Sequence, residues 1–549
     1  MSGALLGFMR LACEEARRRG LRVILYDEGM YPSGSSSGLV VRENPAYRCR
    51  AWTVRRSPEL GTGETLVGEA RRSSGERWWV VDRPIPSVIR GLHYLGEDDG
   101  GPGSPGSDAE ETPAAADLLN REAMAAYLRL THDRYAGVLG EFFGSTVTGI
   151  FTDEPSLLGR PPRFDTPHVA GTTGLLAHLE RLTGIDFSQK LAGLFFEDES
   201  GAGETRRKYE RAVRMRMEET YYGPMSAWCE GHGLELMGHP EKPDDLALQR
   251  YFHIPGQDLV WRWVLPGPTA TRGPQSTQAK SAASAAHHLG RHRNSNEFAG
   301  AYGHELTFEE MRWLADHCLV RGQNFLIPHA YYYSVRGPRR DERPPDVGLK
   351  SKWAHRLREF NGYCERMCEL VARARAEIRV AVVATGDHAP DRAAEALFQH
   401  QFDFHYVEDR RLTELAPMYD AIVYDGVGEV TAEVRGLGRF VDATESGGEA
   451  WLVRLRRLVS PSLALATACP ELRVRRLRRG GADGTPGETV VLVFNESMSR
   501  VEVRPLGAKA VVDAWSGAIR WSGSAAAEGF ASGGFDLEGG GSALVVLGP

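Results

Sequence analysis

A helix, a glycine, a short apolar strand and then a polar loop follow one another repeatedly from about residue 4 to residue 328, and this repeat limits the chain to a parallel α/β architecture. Its first copy is a helix with Leu5, Phe8, Ala12 and Ala16 at helical spacing, closed by Gly20 before a strand at residues 23–26. Further strands are expected at residues 147–151, 234–237, 257–261, 292–297 and 324–328. Between them, residues 121–143 read as one helix with Leu128, Tyr135, Leu139 and Phe142 on one face. Thr307-x-x-Glu310 reads as a capping box that opens a helix with Met311, Leu314, Ala315 and Cys318 turned inward.

Residues 46–95 break the rhythm with β-rich sequence such as Arg77-Trp-Trp-Val-Val81, and residues 96–117, rich in Gly, Pro, Asp and Glu, read as a mobile surface loop. The pattern restarts at about Glu377 with apolar strands at 378–383 and 421–424, then changes after about Leu452 to short alternating strands such as 489–494 and 501–504. The expected fold is therefore α/β: a (β/α)8 TIM-type barrel over residues 1–375 with a β-rich insertion at about 46–95, a flavodoxin-like α/β domain over 376–450, and a β-sandwich over 451–549.

Charge narrows the partners. With 66 basic against 73 acidic residues the net charge is −7, which offers no footprint for nucleic acid. Leu11-Ala12-Cys13 resembles the end of a lipobox, but Arg10 interrupts the apolar run and Glu14 to Gly20 continue the helix, so a cytoplasmic protein without a membrane partner is expected. Seven cysteines without a C-x-x-C pair argue against a disulfide framework or a zinc ribbon. Cys364 and Cys368 lie one helical turn apart as small apolar residues, and His287, His288 and His292 lack a carboxylate or cysteine at ligand spacing, so no metal site is assigned.

Polar residues gather directly after the strands, where a (β/α)8 barrel places its active site. The main clusters are Tyr26 to Gly34, Phe151 to Pro155, Asn294 to Phe298 and Pro328 to Tyr333, with Met237 to Glu241 and Gly256 to Asp258 as lesser ones. Glycoside hydrolysis needs two carboxyl groups, and Glu154 and Glu297, each at a strand end beside aromatic residues, are the natural catalytic pair. His239 and His329 are candidates to bond sugar hydroxyls, and Asp258 and Asn296 complete the expected substrate contacts. Trp261, Trp263, Tyr302 and Tyr331 to Tyr333 are either stacking platforms for sugar faces or core; Trp263 and Tyr332 read as core, Trp261 and Tyr331 as substrate contacts. The serines and glycines of 33–38 suggest a phosphate loop only superficially, because neither G-x-x-x-x-G-K-[ST] nor G-x-G-x-x-G is present.

Together, Tyr26-Asp-Glu-Gly-Met-Tyr-Pro-Ser-Gly34, Gly149-Ile-Phe-Thr-Asp-Glu-Pro155, and Ser284-Ala-Ala-His-His-Leu-Gly290 leading to Ser295-Asn-Glu-Phe298 resemble bacterial glycoside hydrolases of the inverting α-L-rhamnosidase type. The resemblance covers roughly residues 4–375. It implies hydrolysis of a terminal sugar, α-L-rhamnose first, from plant or bacterial glycans, with Glu154 as general acid, Glu297 as general base, and Asp27, Glu28 and Asp153 on substrate hydroxyls. It implies no cofactor for the chemistry, though some relatives bind calcium. A retaining β-galactosidase-like glycosidase and a non-catalytic carbohydrate-binding remnant are the alternatives. Relatives carry a further strand before the helix that begins here at Ala4, so the barrel is expected to lack its first strand, with the start lying upstream or the strand supplied by a partner.

Overall fold

In the computed structural model of the chain, which describes residues 2–90, 112–161, 164–444, 450–480, 487–522 and 534–547, the first repeat forms as its residues dictate. Gly20 takes the left-handed conformation at φ 68° and ends the helix Gly3–Arg19, returning N–H bonds to Ala16 and Arg17 before strand β1 (Val23–Tyr26). The buried face of that helix is not the expected one. Leu6, Cys13 and Ala16 are inside, whereas Leu5 and Phe8 are 48% and 70% exposed, because Arg10 and Arg17 lay their guanidinium groups on the Phe142 ring and turn the helix about that contact.

The chain is a mixed α/β protein with parallel sheets and a C-terminal antiparallel sheet, and its described residues divide into two compact units, residues 2–237 and residues 238–547. The first unit holds β1, β2 (Arg50–Arg55), β3 (Thr65–Arg71), β4 (Arg77–Pro84), β5 (Val147–Asp153), β6 (His168–Gly171) and most of β7 (Glu235–His239). Strand β1 pairs in parallel with β5, Tyr26 opposite Phe151, and β7 lies on the other side of β5. Gly149 is required there, since a Cβ on it would stand 2.7 Å from the Glu235 carbonyl oxygen. The β-rich stretch builds a separate sheet of order β3-β4-β2-β6, whose last strand comes from beyond β5. The single helix expected over 121–143 is two, Arg121–Leu130 and His132–Leu139, parted at Thr131, whose hydroxyl donates to Ser36. Most of the loop expected at 96–117 lies outside the described residues.

In the second unit β8 (Gly256–Val260), β9 (Ser295–Gly300) and β10 (Phe325–Pro328) form a parallel sheet of order β10-β9-β8, setting Asp258 and Ile327 on either side of Glu297. The strand expected from His292 starts at Ser295, because the Asn294 backbone and side chain bond to Asn324 and Gly322 instead of a neighbouring strand. The capping box forms: Glu310 N–H donates to Thr307 Oγ1 and Thr307 N–H to Glu310 Oε2, opening the helix Phe308–Arg321 with Met311, Leu314, Ala315 and Cys318 buried.

Beyond it, β11 (Arg375–Ala376) precedes a four-stranded parallel sheet of order β13-β12-β14-β15, built from β12 (Val380–Ala384), β13 (Phe404–Glu408), β14 (Ala421–Tyr424) and β15 (Phe440–Asp442). Residues 450–458, where alternating strands were expected to begin, are a helix, Ala450–Leu458, that buries Trp451, Leu452 and Leu455. Strands β16 (Leu472–Arg478), β17 (Thr489–Asn495), β18 (Val501–Val503), β19 (Ala508–Asp513), β20 (Ile519–Ser522), β21 (Phe535–Leu537) and β22 (Ser542–Leu547) follow. They make an antiparallel sheet of order β11-β16-β17-β22-β19-β20 and a separate β18-β21 ribbon. Glu496 anchors this sheet to the helix Phe308–Arg321 through Arg321 at 2.8 Å and His317 at 3.0 Å, and pairs with Arg473 of β16 at 2.6 Å, all buried. Cys364 and Cys368 pack against the neighbouring core.

Candidate active site

In the first unit the expected residues stand at the ends of β1 and β5. Glu154, the residue after β5, has φ 33°, a left-handed conformation that a non-glycine residue adopts at a cost of about 1–3 kcal/mol and that clusters at functional sites. Its Oε1 accepts from Arg160 at 2.9 Å, and the Arg160 guanidinium lies 4.6 Å from the centre of the Tyr31 ring. Burial pushes the Tyr31 hydroxyl up to about 12. Asp153 accepts from the Tyr26 hydroxyl at 2.6 Å, and its own N–H donates to Ser33 Oγ, which donates in turn to Asp27 Oδ1 at 2.6 Å. Asp27 is fully buried. Desolvation pushes its carboxyl up to about 7, against the opposing effect of the Ser33, Thr152 and Tyr127 hydroxyls.

Glu28 is placed differently from a substrate contact. Ser36 and Ser37 are left-handed at φ 51° and 54°, so the backbone N–H groups of residues 35–37 converge as a concave anion nest. The Glu28 carboxylate fills it: Oε2 accepts from Ser35 at 2.8 Å and Ser36 at 2.6 Å, and Oε1 from Ser37 and, at 3.0 Å, from Gly29. Burial pushes this carboxyl upward and the four N–H donors oppose it. The side chain is thus spent on holding the loop.

In the second unit Glu297, on β9, lies between two imidazoles: His239 Nε2 is 3.3 Å from Oε2 and His329 Nδ1 is 3.0 Å from Oε1. His239, at the end of β7, also has its Nδ1 3.2 Å from the Pro240 carbonyl oxygen. Although burial pushes the Glu297 carboxyl upward, the two histidines hold it well below the ordinary carboxylate range.

The ends of β8 and β9 are bent around this group. Trp261 and Arg262 after β8, and Ala299 and Ala301 about β9, all have positive φ, and the pairing slips by one residue there, from Leu259 opposite Phe298 to Val260 opposite Gly300. A Cβ on Gly300 would stand 3.1 Å from His329 Nδ1, 3.3 Å from Val260 and 3.8 Å from Asp258 Oδ1, so glycine here lets these groups pack close to the strand. Trp261 is half-buried under the Arg343 guanidinium, 4.8 Å from its ring centre. Tyr331 is 60% exposed, and Gly348 gives its ring room. Tyr302 is core, and Trp263 is exposed rather than core. Asn296 is fully buried and spent internally: Oδ1 accepts from Leu259 N–H and Nδ2 donates to Gln278.

Three residues around these groups were not anticipated. Arg160 pairs with Glu154, buried Glu342 adds its charge beside His329 and Tyr332, and Gly300 lets His329 pack close to the strand. Glu342 and Arg160 lie in Arg- and Pro-rich loops without periodicity, where no local pattern marks a side chain as inward. Calcium, implied by the resemblance, takes six to eight oxygen ligands. The Glu297 oxygens face nitrogens instead, and this donor set does not fit that ion, so no chemical step is routed through it.

The chain is similar to the rhamnosidase from Novosphingobium sp. PP1Y, with a TM-score of 0.54 and 16% identity over 87% of this chain and 52% of that one. It therefore spans about half the length of that enzyme, and the likeness is one of fold. No protein-family model and no curated protein matches the sequence.

Proposed function

We propose that the chain is a glycoside hydrolase of the (β/α)8-barrel type that removes a terminal sugar, α-L-rhamnose first, by two-carboxylate chemistry. The observation that carries this reading is Glu297: a carboxylate on a parallel strand, held ionised by two histidines, in a fold like that of a rhamnosidase. An ionised carboxylate suits the general base. Water attacks the anomeric carbon as Glu297 takes its proton, and Glu154 gives a proton to the departing glycosidic oxygen, so sugar and alcohol leave with inversion. Trp261 and Tyr331 are the stacking faces in this reading, and Asp153 and Asp258 the hydroxyl contacts.

The same ionised group would serve a retaining enzyme as nucleophile, and the anomer first released, read by NMR, separates the two. The test is a panel of aryl glycosides led by the α-L-rhamnoside, hydrolysed by the full chain and by Glu297→Gln and Glu154→Gln. Turnover that both variants lose supports the reading. Background rates in all three overturn it in favour of a carbohydrate-binding protein without turnover.

A further inference from the structure

The second unit also holds an open cleft of about 730 Å³, within the usual range for small-molecule sites, between the β11-β16 edge of the antiparallel sheet and the start of β12. Four arginines line it, Arg375, Arg379, Arg476 and Arg478, in a chain whose net charge is −7. Their countercharges fall short. Glu377 serves Arg476 and Arg478 together at 2.8 Å each, Arg379 pairs with Asp420, and Asp403 in the wall is already shared by Lys280 and Arg475. Six cations thus stand against three carboxylates, and no ion pair of Arg375 is found among the described residues. Burial first, then Arg475, Arg375 and Lys280, push the His287 imidazole in the wall downward.

The sheet register makes the imbalance sharper. Arg375 on β11 stands directly opposite Arg478 on β16, and Arg476 lies two residues along the same face. Like charges directly opposite across an antiparallel pair are destabilising. An anion between them would turn that repulsion into paired charge-assisted hydrogen bonds of the kind guanidinium groups make with phosphate. The rest of the wall is mixed, with Phe402, Val459, Val380 and Met418 beside the polar Ser460 and Ser462, and its apolar part suits the carbon skeleton of an organic molecule better than a bare ion.

We propose that this cleft binds a small organic phosphate, a phosphate monoester on a sugar-sized skeleton, with Arg375 and Arg478 as its principal ligands. The site is independent of Glu297 and of the hydrolytic reading. The test is calorimetric titration of the full chain at matched ionic strength with glucose 6-phosphate, glucose and glucuronate. Arg375→Gln and Arg478→Gln, both at exposed positions, are titrated beside it and melted without ligand. Expected are saturable binding of glucose 6-phosphate, none of glucose, weaker binding of glucuronate, and about tenfold weaker phosphate binding in each variant. Without ligand, Arg375→Gln should melt no lower than the parent chain, because the substitution relieves a like-charge pair. Absence of saturable phosphate binding, undiminished binding in both variants, or glucuronate binding tighter than the phosphate would each overturn the proposal.

Discussion

His329 Nδ1 lies 3.0 Å from Glu297 Oε1, and with His239 on the other oxygen it keeps this partly buried carboxylate charged. Removing one imidazole leaves burial less opposed, so the carboxyl titrates higher. For His329→Ala the acidic limb of the pH–rate profile is expected to move to higher pH, with kcat lower by about 100-fold. A fall in rate without movement of that limb would assign His329 to substrate contact or packing instead.

Gly300→Ala tests the placement of His329 more gently. The backbone at 300 tolerates alanine, but the added Cβ would press on His329 Nδ1 at 3.1 Å and on Val260 at 3.3 Å. Kinetics and thermal melting of this variant should separate, with turnover lower by about 10- to 100-fold, as displacements of an ångström or less can produce, and a melting temperature close to the parent's. A variant that keeps full turnover would show that the close approach of His329 to this strand is not needed.

Asp27 ties stability to pH. Its folded carboxyl titrates at about 7 because of burial, well above the ordinary value near 4, so between these limits the folded chain holds a proton that the unfolded chain has released. Its contribution is fully present below about pH 4 and lost as pH rises through 7, a change of up to about 4 kcal/mol. Asp117, also pushed to about 7 by burial, acts in the same direction. In urea titrations across this range, Asp27→Asn should lose less stability on going from pH 4 to pH 7 than the parent. Parallel losses would place the proton elsewhere.

Glu496→Gln leaves Arg321, Arg473 and His317 buried without their shared carboxylate. Breaking a buried pair from one side costs about 3–5 kcal/mol, so the denaturation midpoint should fall accordingly. A loss below 1 kcal/mol would mean that water or a neighbouring acceptor replaces the carboxylate.

What the sequence made legible was local. Strands at 23–26 and 325–328 and the Thr307–Glu310 capping box were readable because a few adjacent residues decide each of them. The docking face of the first helix was not, since Arg10 and Arg17 settle it on a ring more than 120 residues away. Strand β6 is likewise fixed by its register against β2, with Gly171 opposite Arg50. Among the site residues, strand-end position marked Glu154 and Glu297 but could not separate them from Glu28 or Asn296, whose polar atoms are consumed inside the fold. That distinction depends on which partners come within hydrogen-bond distance, and those partners lie on other elements or at turns set by positive φ.

The nest at residues 35–37 has the form of a phosphate loop, yet its anion is attached to the chain that forms it. A tethered ligand is present at an effective concentration of the order of millimolar or more, and no free anion at ordinary levels competes with it. The loop is in this sense permanently liganded: its conformation is independent of metabolite levels, and it offers the neighbouring strand end a rigid support rather than a switch. Shortening Glu28 to alanine would sever the tether and create, in the same backbone, a receptor for small carboxylates such as formate.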